Sequence, residues 1–143
     1  MTSVTDERYE SIKKIVESTP SRQLTAALGA YQGGYDAVLD TMFEVYQQRF
    51  LPDNAKNASA TFAFNVDTPE GLRSYGLVVA DGQCRVIRGE VPEPTTTVSV
   101  GVDNFVKLSM GKANGLVLTM SRKLKVTGDM KAMMSLREWF ENP

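Results

Sequence analysis

The chain has 143 residues, enough for one domain with a sizeable core, and its 42% hydrophobic and 23% charged content is that of a folded protein. A formal net charge of −1 makes a strong general attraction to nucleic acid or to an anionic membrane unexpected, and the lack of any bilayer-length apolar run excludes a stable membrane insertion. Histidine is absent, which removes Ser-His-Asp and Cys-His catalysis and the commonest zinc ligand, so neither a metal nor a cofactor is expected.

The first third reads as helical. Tyr9, Ile12 and Val16 recur at helical spacing between Asp6 and Ser18, and Thr19-Pro20-Ser21 breaks the pattern. Ser21 is placed to cap a short second helix through Leu24, Ala27 and Leu28. After Gly33-Gly34, a third helix from about Asp36 to Phe50 carries Val38, Leu39, Met42, Val45, Tyr46 and Phe50 on one face, with Asp36 as its N-cap; Leu51-Pro52-Asp53-Asn54 ends it.

The period then changes to two. Phe62, Phe64 and Val66 share one side of a strand, Asp67 to Gly71 reads as a turn, and Ser74 to Ala80 is a second strand. Asp81-Gly82 is the signal of a two-residue type I′ hairpin, leading into a third strand from Gln83 to Gly89. These three strands make an antiparallel meander. Pro92 and Pro94 mark a loop before the β-branched strand Thr95 to Val100. Asp103 is placed to cap a helix holding Phe105, Val106, Leu108 and Met110, closed by Gly111. Leu116 to Met120 fits either an extended or a helical segment, Leu124-Lys125-Val126 alternates as a short strand, and Gly128-Asp129 starts a final helix. In that helix Met130, Met133, Leu136 and Phe140 share a face, with Met134 and Trp139 beside it.

Few residues stand out chemically. Gly29, Gly33 and Gly34 do not follow a strand, so they break helices rather than cradle a phosphate. No carboxylate pair is picked out by spacing, and an acid–base site would rest on carboxylates, Lys, Cys84 or a tyrosine such as Tyr75. Cys84 has no partner for an internal disulfide; next to Arg85 it reads as a buried structural thiol or as an activated one. A lone cysteine, the polar stretch from Met1 to Glu10 and a C-terminus that is no peroxisomal address give a cytoplasmic location as the expectation. Five of the seven methionines, Met110, Met120, Met130, Met133 and Met134, fall in the last 34 positions. They read as adaptable core filler or as the wall of an apolar ligand site. From Phe105 onward seven Lys or Arg stand against three acids, and Arg122, Lys123 and Lys125 lie close together. That cluster reads as a solvated face or as a receiver of phosphate or a lipid headgroup.

An ordered set of segments carries a resemblance. Phe62-Ala63-Phe64-Asn65-Val66 precedes Tyr75-Gly76-Leu77-Val78-Val79-Ala80-Asp81-Gly82, then Thr97-Val98-Ser99-Val100. Phe105-Val106-Lys107-Leu108 leads into Gly111-Lys112-Ala113-Asn114, and Lys123-Leu124-Lys125-Val126-Thr127-Gly128-Asp129-Met130 closes the series. From about Asp36 to Phe140 the chain resembles the sterol-carrier-protein-2 family. The resemblance implies an α+β fold: a five-stranded, mainly antiparallel sheet covered by helices on one face. Residues 36–143 would form that lipid-binding domain and residues 1–35 an extra N-terminal helical segment, a candidate homodimer contact.

It also implies a non-catalytic carrier enclosing a fatty acid, fatty acyl-CoA or sterol-like ligand in an apolar tunnel. The wall carried over comprises Phe105, Leu108, Met110, Leu116, Leu118, Met120, Leu124, Val126, Met130, Met133 and Met134. Lys112 and Arg122 are the candidate headgroup contacts. Arg122 stands where the family usually has glycine before Lys-Leu-Lys. The alternative is an accessory or oligomerisation module, its cavity vestigial, partnering a lipid- or polyketide-metabolising enzyme.

Overall fold

Side chains of period 3.6 and of period 2 partition the chain as the sequence suggests. The computed structural model describes residues 3–141, so expectations resting on Met1, Asn142 and Pro143 lie outside it. Helix α1 (Val4–Ser18) opens on a capping box: the Ser3 hydroxyl accepts from the Asp6 N–H at 3.0 Å, and the Asp6 carboxylate accepts from the Ser3 N–H at 3.3 Å. Tyr9, Ile12 and Val16 are its buried face. Helix α2 (Ser21–Gly29) buries Leu24 and Leu28, and α3 (Gly34–Gln48) buries Val38, Leu39, Met42, Phe43 and Val45.

Three expected caps are corrected. Ser21 is the first helical residue rather than the cap of α2; Pro20 holds that position, and the Ser21 hydroxyl instead accepts from Lys107 at 2.9 Å. Asp36 sits inside the first turn of α3, because Gly33 and Gly34 at φ 94° and 69° turn the chain and start the helix earlier. There it binds the Arg73 guanidinium at 2.7 Å. Helix α4 (Val102–Ser109) leaves its strand directly from Gly101 with no side-chain cap, so Asp103 only complements the helix N-terminus from the first turn.

Strands β1 (Ala60–Thr68), β2 (Gly71–Ala80) and β3 (Gln83–Arg88) form the expected meander, although the β1–β2 turn is tighter than expected because the ladder continues to Thr68 opposite Gly71. Asp81 and Gly82 take φ of 54° and 72°, as a type I′ turn requires. The order in the sheet is β3-β2-β1-β4-β5, with β4 (Thr96–Gly101) parallel to β1 and β5 (Leu124–Gly128) antiparallel at the far edge. Reaching β4 from β3 takes the chain across β2 and β1. It crosses on the outer face, where Val91 occupies the space a side chain at Gly76 would need and the Thr95 N–H donates to the Thr61 carbonyl at 2.8 Å.

The helices cover the other face. Phe62, Phe64, Val66, Leu77, Val79, Val98 and Val100 point inward and are buried. Phe43 of α3 stacks with Tyr75 at 4.4 Å and with Phe105 of α4 at 5.1 Å between ring centroids, and meets Phe64 edge-on at 5.4 Å. Helix α5 (Gly115–Met120), packed on β5, and helix α6 (Met130–Trp139), packed on β4, complete that layer. Phe140 lies beyond α6 and bridges to Phe50 rather than extending the helical face.

Truncating Phe43 leaves a ring-sized void at the junction of α3, α4 and the sheet. Phe43→Ala is expected to lower unfolding free energy by about 3–5 kcal/mol in urea titration, while Leu72→Ala, at an exposed position, changes it by less than about 0.5 kcal/mol.

Candidate functional site

The expected site residues come from α4, α5, β5 and α6, and the local sequence explains how each is placed. Helix α4 ends in a Schellman motif: Gly111 takes φ 73°, the Lys112 N–H donates to Lys107 carbonyl at 2.8 Å and the Gly111 N–H to Leu108 carbonyl at 3.1 Å. Asn114 then caps α5, its side-chain oxygen accepting from the Leu116 and Val117 N–H groups at 2.8 and 3.3 Å. Helix α5 repeats the same ending with a different residue. The Lys123 N–H donates to Leu118 carbonyl at 2.8 Å and the Arg122 N–H to Thr119 carbonyl at 3.1 Å, with Arg122 at φ 63°. An arginine in the left-handed region costs about 1 kcal/mol that a glycine there would not.

Strand β5 alternates Leu124 inward, Lys125 outward and Val126 half-buried. Gly128 at φ 99° makes the exit from the strand; any side chain there would strike the Thr95 carbonyl. Asp129 caps α6 through the Lys131 and Ala132 N–H groups at 2.9 and 3.2 Å. The far end of α6 is pinned to the end of α3: Leu51 N–H donates to the Trp139 carbonyl at 2.7 Å, Glu141 N–H to the Arg49 carbonyl at 2.8 Å, and the Asn54 amide to the Glu138 carbonyl at 2.8 Å.

These residues divide into two groups. Phe105, Met110, Leu118 and Leu124 are buried, and Leu108, Val126 and Met133 are partly buried against the core. Leu116, Met120, Met130 and Met134 are 69%, 77%, 54% and 72% exposed. Val117, beside Leu116, is 59% exposed. Phe105 packs on Phe43, Phe64 and Tyr46 and so fills the inner layer between α3, α4 and β1. Of the two candidate headgroup residues, Lys112 is paired with Glu17 at 3.3 Å, whereas Arg122 is exposed and free of ion pairs among the described residues.

Two recesses lie elsewhere. One, of about 200 Å³, sits on the outer face of the sheet beneath the crossing loop and is lined by Asn65, Ser74, Glu90, Val91 and Thr97. The other, of about 610 Å³, runs between α1 and the start of α3 and is lined by Glu7, Arg8, Ser11, Tyr31, Asp40 and Glu44. Its polar walls suit neither an acyl chain nor a sterol. Next to it Asp40 accepts from the Tyr75 phenol at 2.7 Å and from Arg88 Nε at 2.9 Å, a cluster the sequence does not announce because its members are up to 48 positions apart.

Burial keeps Tyr75 and Cys84 in their neutral forms. Tyr75 is buried and donates to Asp40; burial first, then the Asp36 charge, push its phenol up to about 12, so it is no base at neutral pH. Burial pushes the Cys84 thiol up to about 11, the structural rather than the activated of its two readings. Among the described residues no group of three or more Cys, Asp or Glu is placed to hold a metal, and no helix is long and apolar enough to cross a membrane.

The profile of the SCP-2 sterol transfer family matches residues 39–141. No curated protein matches the chain. Among solved structures, the palmitated SCP2L2 of Aedes aegypti superposes with a TM-score of 0.59 at 19% identity, over 73% of this chain and 98% of that one. Sterol Carrier Protein 2 of Yarrowia lipolytica gives 0.51 at 26% identity, over 71% and 88% of the two chains. The stereoselective inverting sec-alkylsulfatase Pisa1 of a Pseudomonas species gives 0.64 at 15% identity, over 99% of this chain and 25% of that one.

Both raised groups favour their neutral forms in the folded state, so the stability they contribute is complete below about pH 9 and drains away as pH rises from 9 through 11 to 12. Thiolate absorbance of the folded protein is expected to rise with a midpoint near pH 11, against 9.0 in denaturant. A folded-state midpoint at 9.0 would show Cys84 to be solvated.

Proposed function

The chain belongs to the SCP-2 sterol transfer family, and from that membership we propose that it is a carrier which binds a fatty acyl or sterol-like lipid between α5, α6 and the inner face of β4 and β5, with no chemical step. One observation supports the location above all. Of the seven large hydrophobic side chains left exposed among the described residues, five belong to α5 and α6: Leu116, Val117, Met120, Met130 and Met134. An apolar surface of this kind on a folded domain marks a place where something apolar is received.

The two helices are also the parts of the inner layer with least to lose by moving. Helix α5 buries a single side chain, Leu118, and α6 buries only Leu136 and Trp139 near its pinned end. Gly128 supplies a pivot at the other end. In this reading Leu118, Leu124, Val126 and Met133, with Phe105, Leu108 and Met110 behind them, become the wall when the helices part. Leu116, Met120, Met130 and Met134 form the rim, and Arg122 meets a polar head. Methionine suits such a wall because it conforms to ligands of varied shape. A chain of about sixteen carbons recovers on the order of 12 kcal/mol gross at about 0.8 kcal/mol per methylene. Losses for opening and ordering bring that toward the roughly 8 kcal/mol of micromolar binding.

A second reading draws on the match to Pisa1, which extends over 99% of the chain and so includes α1 and α2. In that reading residues 1–35 are part of a unit that works beside an enzyme domain and presents an alkyl substrate to it. Their buried side chains, Tyr9, Ile12, Val16, Leu24 and Leu28, support a packed extension on the domain from residue 36.

Protein purified without detergent is expected to carry lipid in native mass spectrometry, and palmitate is expected to displace a fluorescent fatty acid at micromolar concentration. Met133→Glu, at a half-buried wall position, should weaken displacement at least tenfold. Lipid-free protein that displaces nothing would end the carrier reading.

A further inference from the structure

Helices α1 and α2 precede the residues that the family profile matches, yet they reach the turn between α4 and α5. Glu17 of α1 pairs with Lys112 at 3.3 Å, and the Ser21 hydroxyl at the start of α2 accepts from Lys107 at 2.9 Å. The two lysines bracket Gly111, the left-handed residue of the turn, and the Lys112 N–H donates to the Lys107 carbonyl at 2.8 Å. The Schellman turn is therefore held by side chains of the N-terminal segment on both sides of its glycine.

The two ends of this tie differ in firmness. Helices α1 and α2 are anchored on their own by Tyr9, Ile12, Val16, Leu24 and Leu28, all buried, and the Arg49 guanidinium lies over the Tyr9 ring at 4.8 Å. Helix α5 buries only Leu118. Swinging α5 off β5 turns the chain at residues 111–114 and draws Lys112 away from Glu17. The position of Glu17 adds an independent sign. It stands in the last turn of α1, where the helix dipole disfavours a carboxylate, and no basic residue shares that turn. A charge kept against its own helix, with its cation on another element, points to a use for the pair.

We propose that Glu17 and Ser21 are positioning residues for the lipid site. Through Lys112 and Lys107 they brace the α4–α5 turn, so that α1 and α2 set how often α5 swings open and how fast lipid enters and leaves. The effect on lipid rests on the carrier reading; the opening of α5 is measured without lipid, so the two can fail separately.

Hydrogen exchange of the whole, lipid-free chain reads the opening, and stopped-flow uptake of a fluorescent fatty acid reads its consequence. Glu17→Gln is expected to speed both the exchange of the amides of residues 118–123 and the uptake by about two- to fivefold, the range an exposed ion pair supplies. Release should quicken equally and leave the affinity unchanged. The urea midpoint should stay near that of the wild type, because relief of the helix dipole offsets the lost pair. A merely structural loss would instead lower the midpoint and weaken the affinity. Added salt should speed uptake by the wild type and not by Glu17→Gln. Ser21→Ala should speed exchange further in the Glu17→Gln background. The charge swap Glu17→Lys with Lys112→Glu should restore wild-type rates that neither single change keeps. Glu10→Gln, an exposed acid removed from the same helix, should alter nothing. Wild-type exchange in Glu17→Gln, a swap that stays fast, or a Glu10→Gln protein as fast as Glu17→Gln overturns the proposal. Faster exchange in a protein that takes up no fatty acid keeps the brace and removes the carrier. Fatty-acid uptake with unaltered exchange in Glu17→Gln does the opposite.

Discussion

Phe43 stacking with both Tyr75 and Phe105 is the contact on which the rest of the molecule depends. It joins α3, the meander and α4 through one ring, and it fills the middle of the inner layer. A lipid therefore has no vacant interior to occupy over β1 and β2. What remains is the edge beyond Phe105, where β5 is the last strand, α5 packs on it and α6 packs on β4. The placement of the proposed site follows from how completely the aromatic cluster closes the centre.

Stability and function divide along the same line. Helices α1 to α3 bury most of their apolar residues; the capping box at Ser3 fixes the start of α1, and the Asp36–Arg73 pair ties α3 to β2. The C-terminal elements are held differently: by backbone hydrogen bonds at their ends, two Schellman turns and a glycine pivot, with apolar side chains left outside. Elements that open locally are drawn from this less stabilised part of a fold. The left-handed Arg122 and its cationic neighbours sit at that boundary.

Much of the fold was legible in the sequence. Tyr9, Ile12 and Val16 in α1, the alternation of Phe62, Phe64 and Val66, and Asp81-Gly82 act through neighbours in sequence, so local pattern suffices. Caps were less legible because they depend on where the chain enters the helix: glycines displaced Asp36, and a strand feeding straight into α4 displaced Asp103. The parallel β1–β4 pair and the outer crossing were hidden, since the contacts that record them, Val91 against Gly76 and Thr95 with Thr61, join residues fifteen and 34 positions apart. For the proposed site, periodicity and resemblance single out apolar residues but not their directions. Leu116 and Leu118 have the same chemistry, and only the docking of α5 on β5 decides that one is out and the other in. The Asp40 cluster with Tyr75 and Arg88 had no local signal at all.

The central claim is that lipid is held where α5 and α6 part from β5, while the aromatic core stays closed. Hydrogen exchange of backbone amides with and without palmitate tests it most directly. The account predicts that the amides of α5 and α6 exchange faster than those of α3 and β1 in the free protein. They should slow on addition of palmitate, with α3 and β1 unchanged. Protection that appears instead in α1 and the start of α3, or none anywhere, would contradict it.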